Sequence, residues 1–316
     1  MSNLFNSIVG HQESLAQLEG LLQHGRIPHA LLLAGPSGVG KFKIARALAT
    51  ALLEEPQLAN KPHPDLHLLY PEPGKKDISA ETTRQLISKL QLKPYAGKKI
   101  VAIIDQAERF SLTASNSLLK TLEEPNAHSH LIVISSAKHR LPETIISRLQ
   151  TVSFGDLKVD EITKIIENIS PTLAGKTSKL SEIAAGNLTI LGLEKFRTPE
   201  TGQLDNLDSV SEHLSNLVSD IGQLKDRILK VRELSEANAL SLAAELVSSE
   251  PQALWPVLRN ISSQLIRSSE GRTQKNAADL LEEVLTAEKW VKERSANAQM
   301  QLSQVFLKLA ALDLKS

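Results

Sequence analysis

The run His29-Ala-Leu-Leu-Leu-Ala34, followed at once by Gly35-Pro-Ser-Gly-Val-Gly-Lys41, decides the fold. A short apolar segment that ends in glycines predicts a buried strand feeding a phosphate-binding loop. In such a loop Gly35, Gly38 and Gly40 let backbone N–H groups approach phosphates, and Lys41 meets their charge. The eighth position breaks the pattern. It is Phe42, where Ser or Thr would offer a hydroxyl to magnesium, and a phenyl ring cannot ligate the ion. We therefore read the loop as degenerate: its glycines serve strand–helix packing ahead of nucleotide binding, no cofactor is expected, and residual nucleotide binding stays open.

Outward from this loop, Leu15, Leu18, Leu21 and Leu22 recur at helical spacing over residues 13–24, and Gly25 with Pro28 closes that helix. Residues 43–53 predict the helix after the loop. Residues 54–77 hold prolines at 56, 62, 64, 71 and 73, too many for regular structure throughout, so a surface insertion is expected. Two further apolar runs, Ile100–Ile104 before Asp105 and Leu131–Ile134 before Ser135-Ser136, predict strands. Three strands separated by helical segments make repeated strand–helix–strand units and hence a parallel sheet.

The strand signal fades after Phe154-Gly155-Asp156. Residues 158–196 read as short helices broken at Pro171 and Gly186, and Arg197–Gln203 as a polar linker. Beyond it Leu207, Val210, Leu214, Leu217, Ile221, Leu224 and Ile228 alternate in steps of three and four, a seam that packs helix on helix. A free coiled coil is the alternative. A bundle is preferred because Leu302, Val305, Phe306, Leu309 and Leu312 form a second stripe that needs a partner. Three domains are expected: an α/β domain over 1–155, a helical lid over 156–203 and an all-α domain over 204–316.

Thirty-six basic residues balance thirty-six acidic ones, so no net field steers the whole chain onto nucleic acid, which argues against a stand-alone DNA-binding module. There is no cysteine, which excludes disulfides and thiolate metal sites. The amino terminus lacks the charged and apolar regions of a signal peptide, and no apolar run approaches the ~20 residues that span a bilayer. A soluble cytoplasmic protein without a membrane partner is the expectation.

The second strand ends in Asp105, the position expected to hold a metal in the acidic motif that follows a phosphate loop. Its neighbour Gln106 is an uncharged amide and a poor general base. Glu108 is expected to be a solvated or loop-bonding carboxylate away from that place. Ser135 and Ser136 are expected to be strand-end hydrogen-bond donors. His63, Asp65 and His67 in the proline-rich segment are read as surface residues, with no zinc.

Five ordered segments resemble bacterial clamp-loader subunits of the AAA+ kind: Val9–Gln12, Gly25–Ala30, Gly35–Lys41, Ser115–Pro125 and Leu141–Arg148. The resemblance is strong over roughly the first 155 residues and architectural beyond. It implies a P-loop (AAA+) α/β domain, a lid, and a carboxy-terminal collar that joins related subunits into a ring. Motor subunits of that family keep an intact site, whereas delta-prime subunits commonly have a degenerate one, which Phe42 and Gln106 resemble. The lid arginine of motor subunits has no counterpart in Ala185–Ile190, and the zinc cysteines that the family often bears are absent. Ser147-Arg148-Leu149 stands where the family has Ser-Arg-Cys, so the resemblance assigns Arg148 as an arginine finger acting on a neighbour's ATP. It also implies the partners: motor and delta subunits in a hetero-pentameric ring, and through the ring a sliding clamp and primed DNA. The chief rival is an active motor-type ATPase of the same family.

Overall fold

A computed structural model describes residues 4–55, 63–72, 75, 77–173, 175–184, 188–191, 193, 204–230, 236–249, 251–268, 270–294 and 297–311. These fall into two compact units, residues 1–165 with 186–207, and residues 166–185 with 208–316.

In the first unit, α1 (Gln12–Gln23) precedes β1 (Ala30–Ala34), α2 (Lys41–Leu52), β2 (Leu66–Leu69), α3 (Ala80–Leu90) and β3 (Ile100–Ile104). Then come α4 (Leu112–Glu123), β4 (Ser129–Ser135), the single turn α5 (Glu143–Ile146), β5 (Gln150–Ser153) and the start of α6 (Val159–Ile169). The five strands form one parallel sheet in the order β2-β3-β4-β1-β5. Three of them, β1, β3 and β4, are the predicted ones, and they occupy the centre. Every residue of β1 and β3 is buried, as continuous apolar runs require when helices cover both faces. On one face Ala30, Leu32, Ala102, Ile104, Leu131 and Val133 pack with Leu86 and Leu90 of α3 and Leu118 and Leu122 of α4. The alternate residues, Leu31, Leu33, Val101 and Ile103, point the other way, towards α2, which presents Ile44, Ala45 and Leu48.

Two strands were not foreseen. β2 lies inside the segment expected to be a surface insertion, because the stretch between Pro64 and Pro71 is free of proline and pairs on one side only. β5 is the opposite edge, and its sequence Gln-Thr-Val-Ser buries only Val152. Pro56, Pro62 and Pro73 lie outside the described residues.

The second unit is helical: α7 (Thr177–Ala184), α8 (Leu207–Lys230), α9 (Glu236–Ser249), α10 (Pro251–Ser268), α11 (Gly271–Arg294) and α12 (Ala298–Ala310). α10 packs on α11 and on α7, and α9 packs on α12. Along α8, Val210, Leu214, Ile221, Leu224 and Ile228 are buried, while Leu207 at its first residue is exposed. Leu302, Val305, Phe306 and Leu309 of α12 are buried as expected, whereas Leu312, the linker 197–203 and residues 185–187 lie outside the described residues. Within this unit Ser170 Oγ and Ser211 Oγ are 2.6 Å apart, and Lys176 Nζ donates to Ser215 Oγ at 2.5 Å.

Candidate functional site

The loop after β1 is shaped by close backbone approach. Gly35 N–H donates to the Ser135 carbonyl at the end of β4 at 3.2 Å, and Phe154 N–H donates to the Ala34 carbonyl at 2.7 Å. A Cβ on Gly35 would stand 2.2 Å from the Phe154 carbonyl oxygen, so this position admits only glycine. Gly38 and Gly40 have φ of 72° and 94°, in the region that favours glycine. His11, in the segment before α1, lies against the loop: its Nε2 is 2.9 Å from the Val39 carbonyl, and its ring meets the Phe154 ring edge-on at 5.2 Å. The sequence marked His11 only as part of a family segment.

Lys41 is the first residue of α2 and is 5% exposed. Its ammonium donates to the Gly35 carbonyl at 2.7 Å and to the Pro36 carbonyl. Burial outweighs the opposing charges of Glu108 and then Asp105 and leaves its pKa lowered to about 8. Phe42 is 7% exposed, with its ring in the hydrophobic core. The side chain at the metal-hydroxyl position therefore serves packing.

At the end of β3, Asp105 N–H donates to the Leu69 carbonyl at 2.8 Å, and Asp105 Oδ1 accepts from Gln106 N–H at 3.0 Å. Gln106 takes a left-handed φ of 56°. Its amide oxygen accepts from Arg109 at 2.9 Å, and Arg109 also donates to the Lys75 carbonyl at 2.5 Å. The left-handed residue and the following 3₁₀ turn, Ala107–Arg109, reverse the chain. Glu108 is thereby brought to the end of β4, where its Oε2 accepts from Ser136 N–H at 3.1 Å. It is loop-bonding, as expected, and its charge, ahead of that of Asp105, raises the pKa of Lys41. The three-residue offset, one 3₁₀ turn, is the signal the sequence held for this. The Ser135 hydroxyl at the end of β4 accepts from Ala137 N–H at 3.2 Å.

Asp65 is likewise no surface residue. It is 3% exposed, and its carboxylate accepts from Tyr95, Ala96 and Gly97 N–H groups at 2.6, 2.8 and 3.2 Å. Burial pushes its pKa up, but the three N–H groups, with His63, outweigh it and hold the carboxyl below its ordinary range.

Arg148 follows α5 and is exposed. Its Nε and one terminal nitrogen donate to Glu123 Oε1 at 3.0 and 2.6 Å; the other terminal nitrogen donates to the Thr144 carbonyl at 2.9 Å and to Ser147 Oγ at 3.2 Å. The guanidinium is thus held between the carboxy end of α4 and α5, in the unit that carries the loop.

A parallel sheet whose first strand delivers a glycine loop into a helix, with an acidic strand end beside it, defines the P-loop class of α/β domain. Residues 10–158 match the family described as DNA polymerase III, delta subunit. The tau subunit of Salmonella typhimurium is 33% identical over 177 residues, 52% of this chain and 27% of that one. The delta' subunit of Pseudomonas aeruginosa is 36% identical over 147 residues, 42% of this chain and 44% of the other, and that of Bacillus subtilis 34% over 191 residues, 55% and 57%. The chain thus spans only part of these relatives, and the delta' and tau kinds match it at similar identity. It is similar to DNA polymerase III subunits of the delta kind, over residues 10–158, and of the delta' and tau kinds.

Proposed function

We propose that the chain is a clamp-loader subunit of the delta-prime type, which does not hydrolyse ATP and instead completes a neighbour's site. The observation that carries this reading is Phe42, buried where a hydroxyl must reach magnesium. Gln106 supports it, because its amide faces Arg109 and supplies no carboxylate to activate water. In the proposed ring, with motor and delta subunits as partners, Arg148 offers a planar, permanently charged fork to the γ-phosphate of ATP on the adjacent motor subunit. The complex then places a sliding clamp on primed DNA.

A second reading, an active motor-type ATPase, is favoured by the retained loop glycines and Lys41 and by the match to tau. ATPase assay of the purified chain with magnesium separates the two. The proposal expects no turnover above background; magnesium-dependent turnover abolished by Lys41→Ala would establish the motor reading.

A further inference from the structure

We propose that the connection between α3 and β3, residues 91–99, is a binding surface for single-stranded DNA. Tyr95 is the ring on which a base stacks, and Arg84, Lys89, Lys93, Lys98 and Lys99 are the cations that meet phosphates. The inference deepens the proposed function, whose complex acts on primed DNA, and rests on that reading for the source of the single strand.

Charge is balanced over the whole chain but not here. Between Glu81 and Asp105 stand Arg84, Lys89, Lys93, Lys98 and Lys99, and no carboxylate. Lys99 is half-buried and the other four are exposed. Among the described residues none of the five is in an ion pair. A local excess of one sign attracts the opposite sign even where the net charge of the chain is zero.

Tyr95 is 87% exposed, more than any other large apolar or aromatic side chain among the described residues, and Leu92 is 61% exposed. Their backbone, by contrast, is pinned by other segments. The Asp65 carboxylate accepts from the Tyr95, Ala96 and Gly97 N–H groups, and the Asn126 side-chain amide donates to the Leu90 and Gln91 carbonyls at 3.4 Å each. A ring carried on a fixed backbone loses little freedom when a ligand covers it. The connection leads into the amino end of β3, whereas Gly35–Lys41 leaves the carboxy end of β1, so in a parallel sheet the surface lies away from the phosphate loop.

The composition selects the ligand. Lysine is depleted at protein–protein interfaces, because its strongly hydrated ammonium resists burial. Lysines around an exposed aromatic ring instead hold a single strand of any sequence, the cations on its phosphates and the ring on a base. A duplex keeps its base faces stacked on one another, so Tyr95 favours the single strand.

The test uses the full-length chain and labelled oligothymidylate, with binding followed by fluorescence anisotropy over a range of salt. Unlabelled oligothymidylate, a duplex of equal length and polyglutamate serve as competitors. The side-chain changes leave the N–H groups that Asp65 holds, so the fold is retained, and thermal melting checks this. The logarithm of the affinity should fall with the logarithm of salt, and the triple variant Lys93→Gln, Lys98→Gln, Lys99→Gln should flatten that slope by about 2, at about 0.7 for each phosphate contact on a single strand. Tyr95→Ala should weaken binding about tenfold without changing the slope, and Tyr95→Phe should restore it. Equal affinities for Tyr95→Ala and the unmodified chain, or a slope unchanged in the triple variant, would overturn the inference. Displacement by polyglutamate as effective as by unlabelled oligothymidylate would overturn it too, and assign the surface to an acidic protein. A chain that binds no oligothymidylate yet shows no ATP turnover loses this inference and keeps the proposed function; magnesium-dependent turnover removes the non-hydrolysing reading and leaves oligothymidylate binding to be judged by the same variants.

Discussion

Lys41 is a cation that the fold has partly lifted out of water, and the consequence is measurable without any ligand. Its pKa in the folded chain is about 8 against an ordinary 10.5, so the unfolded chain holds that proton more tightly between those values. Stability should therefore rise with pH from about 8 towards 10.5, since the unfolded state binds more protons there. Denaturant titrations at pH 8 and 10 should show the increment in the unmodified chain and not in Lys41→Met. Asp65 acts at the other end of the scale. Its carboxyl is held below its ordinary range, so its contribution is fully present above about pH 4 and is lost as pH falls through the lowered value. Asp65→Ala strips three backbone N–H groups of their acceptor at once, and should cost on the order of 1–3 kcal/mol at neutral pH, and less in acid. A loss independent of pH would contradict this account of the carboxylate. Both residues show what the sequence hid. A lysine after a glycine loop and an aspartate between prolines are visible as letters, but the carbonyls and N–H groups that surround them come from other segments.

At the scale of elements, legibility followed burial. β1, β3 and the stretch Leu131–Ile134 of β4 are apolar because both of their faces are covered, and the sequence located all three. β2 and β5 pair on one side only and carry His67, Gln150, Thr151 and Ser153, so no apolar run announced them. The same contrast explains the site. Phe42 and Gln106 were legible because they break a motif, whereas the place of Glu108 depends on a left-handed residue and a 3₁₀ turn that no periodicity reveals. The central strands should be the most sensitive elements. Leu32 is fully buried in the middle of β1, and Leu32→Ala should cost about 2–5 kcal/mol through lost burial and the cavity left behind. Thermal or denaturant unfolding measures it, and a cost below about 1 kcal/mol would mean that β1 is not the centre of the core.

For the whole molecule, two units divide the work in the proposed function: the α/β unit carries the loop and Arg148, and the helical unit carries the apolar seams of α8 and α12. Removing residues 208–316 should leave a folded sheet that no longer co-elutes with motor subunits. It also strips α7 of α10, so this truncated chain should melt at lower temperature. Normal co-elution would show that the helical unit is not the assembly element. The central claim, that the chain lends Arg148 to a neighbour's ATP, is tested by reconstituting the loader with Arg148→Ala and measuring its ATPase on clamp and primed DNA. Arginine fingers contribute on the order of 10³-fold or more to phosphoryl transfer, so the account predicts unchanged assembly and a large loss at the one motor site it serves, seen as a clear fall in total rate and in clamp loading. Glu123→Ala, which frees the guanidinium from its carboxylate, should leave that site working. Rates equal to those of the unmodified complex would contradict the account, leaving Arg148 and Glu123 as a surface ion pair worth about 0–1 kcal/mol.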